Sequence, residues 1–577
     1  MKNFLAKINW NILILVAIII CGAILRFYNL KWDEGYYFHP DERNIAGGVV
    51  NLDPAKGDYN PNFFAYGTLP IYLVRIFSGN NYNQAIYVGR QFSAFFSVLI
   101  IPLVYLILVE LFKKKLPVDS REPKWLPLIG SLLVAFTPGL IQFAHIATFE
   151  TFLTFEYLVV LWACLKLTNS GRKYYWIISI VLGAAIATKI VSLAIIPVFF
   201  FAHFLRVWNN KKWTKFSRKL LHLILSPSFL LALVATVFFT FIFSPYVVLD
   251  YASFQGAMNY EGPVARGTLP VFYTQQFKET IPFIYQFLKV FPFILGWPLT
   301  ILSFVAVIYL IWYLFKNYFQ VIFKKKHLKE QQIILVLLTF LGYGILHWYM
   351  YVKWTRYMIP LIPLLIIIMI YAFPIMFKKL QKRFPRVALA VFLSLIGFSI
   401  LLGFNYFTMY LKPDPRILAA KTESKKISNP QEVKLLSEIY DMGIIPWNTS
   451  FNAGNIQLFN FYDLDEPIST ARLVELRAAL AKADYIVLPS NRIYYTKLRL
   501  TEKYPLTYQY YTQLFNGDLG FQLVGEYRRT TIYEDLRQKI APQTIEQKYF
   551  PSIFQPDESF HVFDSPTILV FKRTNAK

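Results

Sequence analysis

The sequence predicts an α-helical polytopic membrane protein, with about eleven transmembrane helices and a small C-terminal extracytoplasmic α/β domain. Three observations predict it. The 577-residue chain is 56% hydrophobic and 18% aromatic, with a mean hydropathy of +0.40, well above what a soluble chain of this length needs to bury. Apolar runs close to the ~20 residues that cross a bilayer recur as far as residue 410 or so. Past that point hydropathy falls, and short runs of strand-forming residues replace the long ones.

The spans fall near 10–26, 87–112, 126–144, 151–168, 175–188, 192–207, 221–244, 291–315, 331–350, 357–377 and 387–410. The first follows Lys2 and Lys7 and could be a signal peptide, or Cys21 a lipidation site. Ile20 is too large for the residue before a processed cysteine and no small-residue cleavage site follows, so the segment reads as a retained span. Alternating the loops sorts the charge. Lys113, Lys114, Lys115, Arg121 and Lys124 fall on one side with Lys211, Lys212, Lys215, Arg218 and Lys219, then with Lys324, Lys325, Lys326 and Lys329, and with Lys378, Lys379, Lys382, Arg383 and Arg386. The positive-inside rule makes that side, and the N-terminus, cytoplasmic. The opposite face receives a first loop over 27–87, a second from Ser244 to Pro292, and everything from Lys412 onward.

Residues 1–411 thus form a transmembrane module, and 412–577 a soluble extracytoplasmic domain in which 483–488 and 567–571 read as buried strands and 471–482 as an amphipathic helix. The net charge of +25 lies in clusters between apolar runs, which is membrane topology and not a nucleic-acid surface. Cys21 and Cys164 sit inside different apolar runs, where neither a structural disulfide nor a metal site has a second half.

Polar residues able to do chemistry gather at the extracytoplasmic face. The first loop contains His39-Pro40-Asp41-Glu42-Arg43. Asp41 could simply cap a helix that begins with Glu42, since aspartate is a good N-cap. Glu150 stands at the outer end of the third span, where a carboxylate needs water or a partner; a solvated loop acid is the plain alternative. Lys189 closes the fifth span on the side where lysine is disfavoured, and snorkelling would explain it. Lys353-Trp354-Thr355-Arg356-Tyr357 opens the tenth span, with Lys353 and Arg356 expected on one helical face, a geometry suited to phosphate or to a lipid headgroup.

Acids from two regions and cations from two more, mapped to one interface, would make a pocket with a carboxylate base beside an anion clamp. A sugar on a lipid phosphate fits such a pocket. Lys189, Lys353 and Arg356 would stabilise the departing phosphate, and Asp41 would act as general base on an acceptor hydroxyl attacking the anomeric carbon with inversion. Glu42 and Glu150 would orient the acceptor or hold a divalent cation. His39 and His145 lack a third ligand at metal spacing and read as local hydrogen-bonding residues.

At these residues the chain resembles the lipid-carrier-dependent glycosyltransferases of the GT-C superfold, a group that includes the protein O-mannosyltransferases and the aminoarabinose transferase of lipid A. The resemblance runs over about 10–410. It rests on the acidic pair of His39-Pro40-Asp41-Glu42, the acid Glu150 after the third span, Ala187-Thr188-Lys189 near the fifth, and Lys353-x-x-Arg356-Tyr357 before a proline-bearing span. It implies a GT-C fold and a hexosyl- or pentosyltransferase. It further implies a polyprenyl-phosphate sugar donor, a lipid, glycan or protein acceptor, and residence in the plasma membrane. Many relatives carry Asp where this chain has Glu150, which weakens a metal role there, and the β-trefoil domain of eukaryotic O-mannosyltransferases is not evident. The competing readings are a transporter or lipid flippase, which would place charge at the bilayer midplane in repeated halves, and a non-catalytic membrane scaffold.

Overall fold

The computed structural model of the chain describes residues 10–113, 125–169, 171–210, 215–317, 328–465, 470–540, 550–552 and 555–574. Lys2, Lys7, Lys114, Lys115, Arg121, Lys124, Lys211, Lys212, Lys324, Lys325 and Lys326, which informed the expected topology, lie outside them.

Among the described residues nine helices are long and apolar enough to cross a membrane. Two further expected spans are shorter helices, Leu126–Ala135 and Lys173–Thr188. The first is short because Thr137 precedes Pro138 and is held extended at φ −77, ψ 120; the chain then turns into the brief helix Pro138–Gln142. Helix Leu361–Met376 is buried all round as far as Phe373 and forms the axis of the bundle. Trp10–Phe27, Pro227–Phe243 and Pro385–Phe407 lie at its perimeter and turn large apolar side chains such as Ile24, Val237 and Leu401 outward, as helices facing lipid do.

The C-terminal part is a five-stranded mixed sheet of β1 Leu435–Glu438, β2 Ile456–Phe459, β3 Tyr485–Leu488, β4 Phe521–Tyr527 and β5 Ile568–Arg573, in the order β2-β1-β3-β5-β4. β1 runs parallel to β2 and β3, while β5 is antiparallel to β3 and β4. The expected strands at 483–488 and 567–571 are β3 and β5, and the expected helix is Thr470–Lys482. All four residues of β3 are buried, as their unbroken apolar run implies.

This domain is seated on the bundle. Asp564, fully buried, accepts the hydroxyls of Tyr406 at the end of the last long helix and of Tyr410 in the 3-10 turn that follows it, each at 3.0 Å. Asp557 accepts the Tyr285 hydroxyl at 2.5 Å, and the Thr355 N–H donates to Ser559 Oγ at 3.0 Å. Asp564→Ala would strand two buried tyrosine hydroxyls and is expected to cost about 1.5–3 kcal/mol. The cost should appear as a lower unfolding temperature in detergent and faster proteolysis of the C-terminal domain.

Candidate functional site

The site is built on helix Pro40–Asn51 of the first loop. Proline at its first position is pre-set for the helix and lacks the N–H that would have gone unbonded. The N-cap is His39 and not Asp41: His39 Nδ1 accepts the Asp41 N–H at 3.2 Å. This corrects the capping expectation. It leaves the Asp41 carboxylate in the first helical turn and free for other partners. Burial and the nearby Arg356, Arg90, Arg492 and Arg43 hold His39 well below its ordinary 6.5, so the ring is the neutral acceptor that the cap requires.

Asp41 and Glu42 point to different environments. Glu42 is fully buried, taking Arg90 Nε and Nη2 at 2.8 and 2.6 Å and the Ala147 N–H at 2.7 Å. The same guanidinium reaches Asp33 at 3.1 and 2.6 Å and the Leu30 carbonyl at 2.9 Å. Arg90 and Asp33 were not among the expected residues, although a lone arginine inside the apolar run 82–112 is the kind of signal that marks a role. Asp41, by contrast, faces an open cavity, where its Oδ2 forms an ion pair with Arg356 Nη1 and accepts the Tyr66 hydroxyl at 3.3 Å. Arg356 also reaches the Tyr66 oxygen at 3.0 Å.

Lys189 follows the last residue of helix Lys173–Thr188. Its Nζ stands 4.5 Å from the Tyr357 ring centre, 5.5 Å from that of Tyr66, and 3.6 Å from Glu150 Oε1. Glu150 is buried, and among the described residues neither of its oxygens has a hydrogen-bond partner. The Gly67 N–H donates to the Thr188 carbonyl at 3.0 Å, and a Cβ at Gly67 would strike the Ala187 carbonyl. Only glycine lets the first loop lie this close to Lys189.

Lys353 departs from expectation. It lies in extended chain before the short helix Thr355–Met358, so it does not share a helical face with Arg356. Its ammonium is buried, donates to the Tyr351 carbonyl at 2.8 Å, and is pulled down to about 8 by that burial. Val352, Trp354, Arg356 and Tyr357 line the cavity, and Lys353 is turned away from it. His145 is also away from the cavity, stacked on Tyr410 at 3.7 Å between the carbonyls of Ile141 and Tyr28. Among the described residues no three His, Cys, Asp or Glu side chains are grouped to hold a metal ion.

Two cavities meet here. The polar one, about 550 Å³, is lined by His39, Asp41, Arg43, Tyr66, Lys189 and Arg356 from the bundle and by Tyr440, Asp441, Arg492 and Phe563 from the C-terminal domain. The other, about 660 Å³, is an apolar groove between helices, lined by residues such as Leu182, Ile186, Phe199, Leu233 and Val237. Tyr66, Lys189, Glu261 and Tyr357 belong to both walls. Glu261 comes from the second loop, and burial raises its carboxyl above the ordinary range while Lys189 opposes the shift. That loop is tied to the first by Thr68 donating to Ser244 Oγ at 2.9 Å and by Asn60 donating to Asp250 at 2.7 Å. Glu261, Asp441 and Arg492 carry no sequence motif and reach the site only through the fold.

Two expectations follow. Arg90→Met would leave Asp33 and Glu42 buried without a counter-charge and is expected to cost about 3–5 kcal/mol, read as a fall in the unfolding temperature of the detergent-purified protein. For His39, the folded state resists a proton that the unfolded state accepts. Its contribution to stability is therefore whole above pH 6.5 and lost as the pH falls below that value. The difference in stability between wild type and His39→Asn should shrink as the pH is lowered from 7 toward 5 in thermal unfolding.

Comparison with known proteins places these features. Residues 72–249, under a third of the chain, match the family model described as dolichyl-phosphate-mannose-protein mannosyltransferase. No curated protein matches the sequence. The oligosaccharyltransferase of Archaeoglobus fulgidus, solved tethered with an acceptor peptide, is similar at 14% identity, over 98% of this chain and 89% of that one, with a TM-score of 0.51. ArnT from Cupriavidus metallidurans, solved bound to undecaprenyl phosphate, aligns at 14% identity over 85% of this chain and 94% of its own, with a TM-score of 0.44. The similarity to the oligosaccharyltransferase, over nearly the whole length of this chain, shows that the helical bundle and its C-terminal sheet domain share that protein's fold.

Proposed function

We propose that the protein transfers a sugar from a polyprenyl-phosphate donor to an acceptor hydroxyl, with inversion, at the extracytoplasmic face of the plasma membrane. One observation carries the reading: an apolar groove runs into a polar cavity through a wall shared by Tyr66, Lys189, Glu261 and Tyr357. A lipid phosphate has the same division, with a hydrocarbon tail suited to the groove and an anionic head suited to the side where Lys189 and Arg356 stand. The matching family description, which names a dolichyl-phosphate-linked sugar, fits this donor class.

The ion pairs at the site suggest how the residues would act. Arg356 holds Asp41, and Lys189 is near Glu150. A donor phosphate entering between them competes with Asp41 for Arg356. Arg356 then turns to the phosphate, and Asp41 is released beside the acceptor. Asp41 takes the hydroxyl proton as the acceptor oxygen forms its bond to the anomeric carbon. The bond from that carbon to the phosphate oxygen breaks, and the phosphate keeps the electron pair. Arg356 and Lys189 stabilise that developing charge. Glu42, held by Arg90, is a positioning residue that fixes the helix carrying Asp41. Glu150 positions Lys189, and Lys353 supports the segment leading to Arg356 without touching the phosphate.

Transfer of radiolabelled sugar from synthetic polyprenyl-phosphate hexoses and pentoses to membrane acceptors tests this. Asp41→Asn is expected to lower the rate by about 10²–10⁴-fold while donor binding persists, and wild-type rates in that variant would refute the base assignment.

A further inference from the structure

The C-terminal domain brings to the cavity the part of its sheet where ligands are usually found. β1 lies between β2 and β3 and is parallel to both. The chain leaving β1 turns toward β2, and the chain leaving β3 turns the other way, so a crevice opens at the carboxyl ends of β1 and β3. Tyr440, Asp441 and Met442 follow β1, and Ser490, Asn491 and Arg492 follow β3. Tyr440, Asp441, Met442 and Arg492 all line the cavity that contains Asp41. The crevice therefore faces the membrane-borne site.

Its polar groups are fixed in place. Asp441 accepts the Gly443 N–H at 2.8 Å and the Ser490 hydroxyl. Arg492 donates its N–H to Ser490 Oγ at 3.1 Å and its Nε to Glu558 at 2.6 Å. That leaves the two terminal nitrogens of the fork for the cavity. In the same cluster Asn491 Oδ1 and the Tyr462 hydroxyl are buried with no hydrogen-bond partner, the kind of polar atom that a ligand satisfies. Tyr440 has φ +67, a conformation a bulky residue rarely holds. Its ring is 50% exposed and stacks at 4.6 Å on Phe272 of the second loop.

A saccharide suits this combination. Each of its hydroxyls donates and accepts, which matches a carboxylate and a guanidinium held side by side, and its C–H face packs on aromatic rings. An extended peptide is held chiefly by main-chain pairing to a strand edge, and β1 and β3 both lie inside the sheet.

We propose that this crevice is a saccharide-binding acceptor subsite, in which Asp441 and Arg492 hydrogen-bond hydroxyls of a glycan beside the Phe272–Tyr440 stack, directing a further hydroxyl toward Asp41. Naming it an acceptor subsite rests on the transfer reading above; saccharide binding there does not.

Saturation-transfer NMR on the full-length protein in nanodiscs, without donor, tests it, using mannobiose, cellobiose and a Ser/Thr-rich peptide as probes. Polyprenyl phosphate binding, measured in parallel, reads the groove separately and reports that each variant is folded. A disaccharide is expected to bind wild type and to lose affinity by about tenfold or more in Arg492→Ala and Asp441→Asn, the loss of one charged hydrogen bond, with polyprenyl phosphate binding retained. Asp441→Asn keeps the side-chain shape and carries the test alone if Arg492→Ala does not fold. Unchanged disaccharide affinity in the folded variants would overturn the proposal, as would wild-type binding of the peptide and of neither disaccharide.

Discussion

The interaction on which the site depends is the clamp of Arg90 on Asp33 and Glu42. Three charges removed from water are costly unless the geometry is close to ideal. Here one planar fork meets two carboxylates and the Leu30 carbonyl, and the Ala147 N–H completes Glu42. Four stretches of chain, near 30–33, 42, 90 and 147, are thereby fixed to one point. Successive residues of a helix point about 100° apart, so burying Glu42 on one side presents Asp41 to the cavity on another. The residue that faces the cavity is aimed by the neighbour that does not.

The charges at the site largely neutralise one another. Arg356 holds Asp41, Lys189 is near Glu150, Arg416 holds Asp414 and Arg492 holds Glu558. Arg43, which lines the cavity with its Nε buried and unbonded, has no ion pair among the described residues. Pairing of this kind lets a cavity rich in cations exist beside hydrocarbon without a standing excess of buried charge. At Arg356 and Lys189 an anion would compete with a carboxylate already in place, so that on the transfer reading arrival of a phosphate would be coupled to release of an acid.

Much of this was legible in the sequence, for identifiable reasons. Apolar runs are long, so the membrane spans between Trp10 and Phe407 were readable, as were β3, β5 and helix Thr470–Lys482, whereas helices Thr68–Ser78 and Tyr251–Arg266 fall in the regions read as outer loops. The convergence of Asp41, Lys189 and Arg356 followed from placing each at the same end of its span. Local backbone was less legible. Spacing alone put Lys353 and Arg356 on one face, whereas the chain at Lys353 is not helical. Aspartate is a common cap, yet Pro40 starts the helix two residues earlier and hands the cap to His39. Hydropathy also runs through Thr137-Pro138, where the backbone breaks. Asp441, Ser490 and Arg492 were out of reach because nothing in a chain 400 residues from Asp41 says which end of a sheet will face it.

The wall shared by groove and cavity has a consequence for traffic. Tyr66, Lys189, Glu261 and Tyr357 are a threshold between two rooms, one lined by helices of the bundle and the other lined in part by the C-terminal domain. A spent lipid carrier and a lengthened glycan would leave by different doors. On the transfer reading neither would block the other, and a fresh carrier could be seated while the previous glycan is still in place.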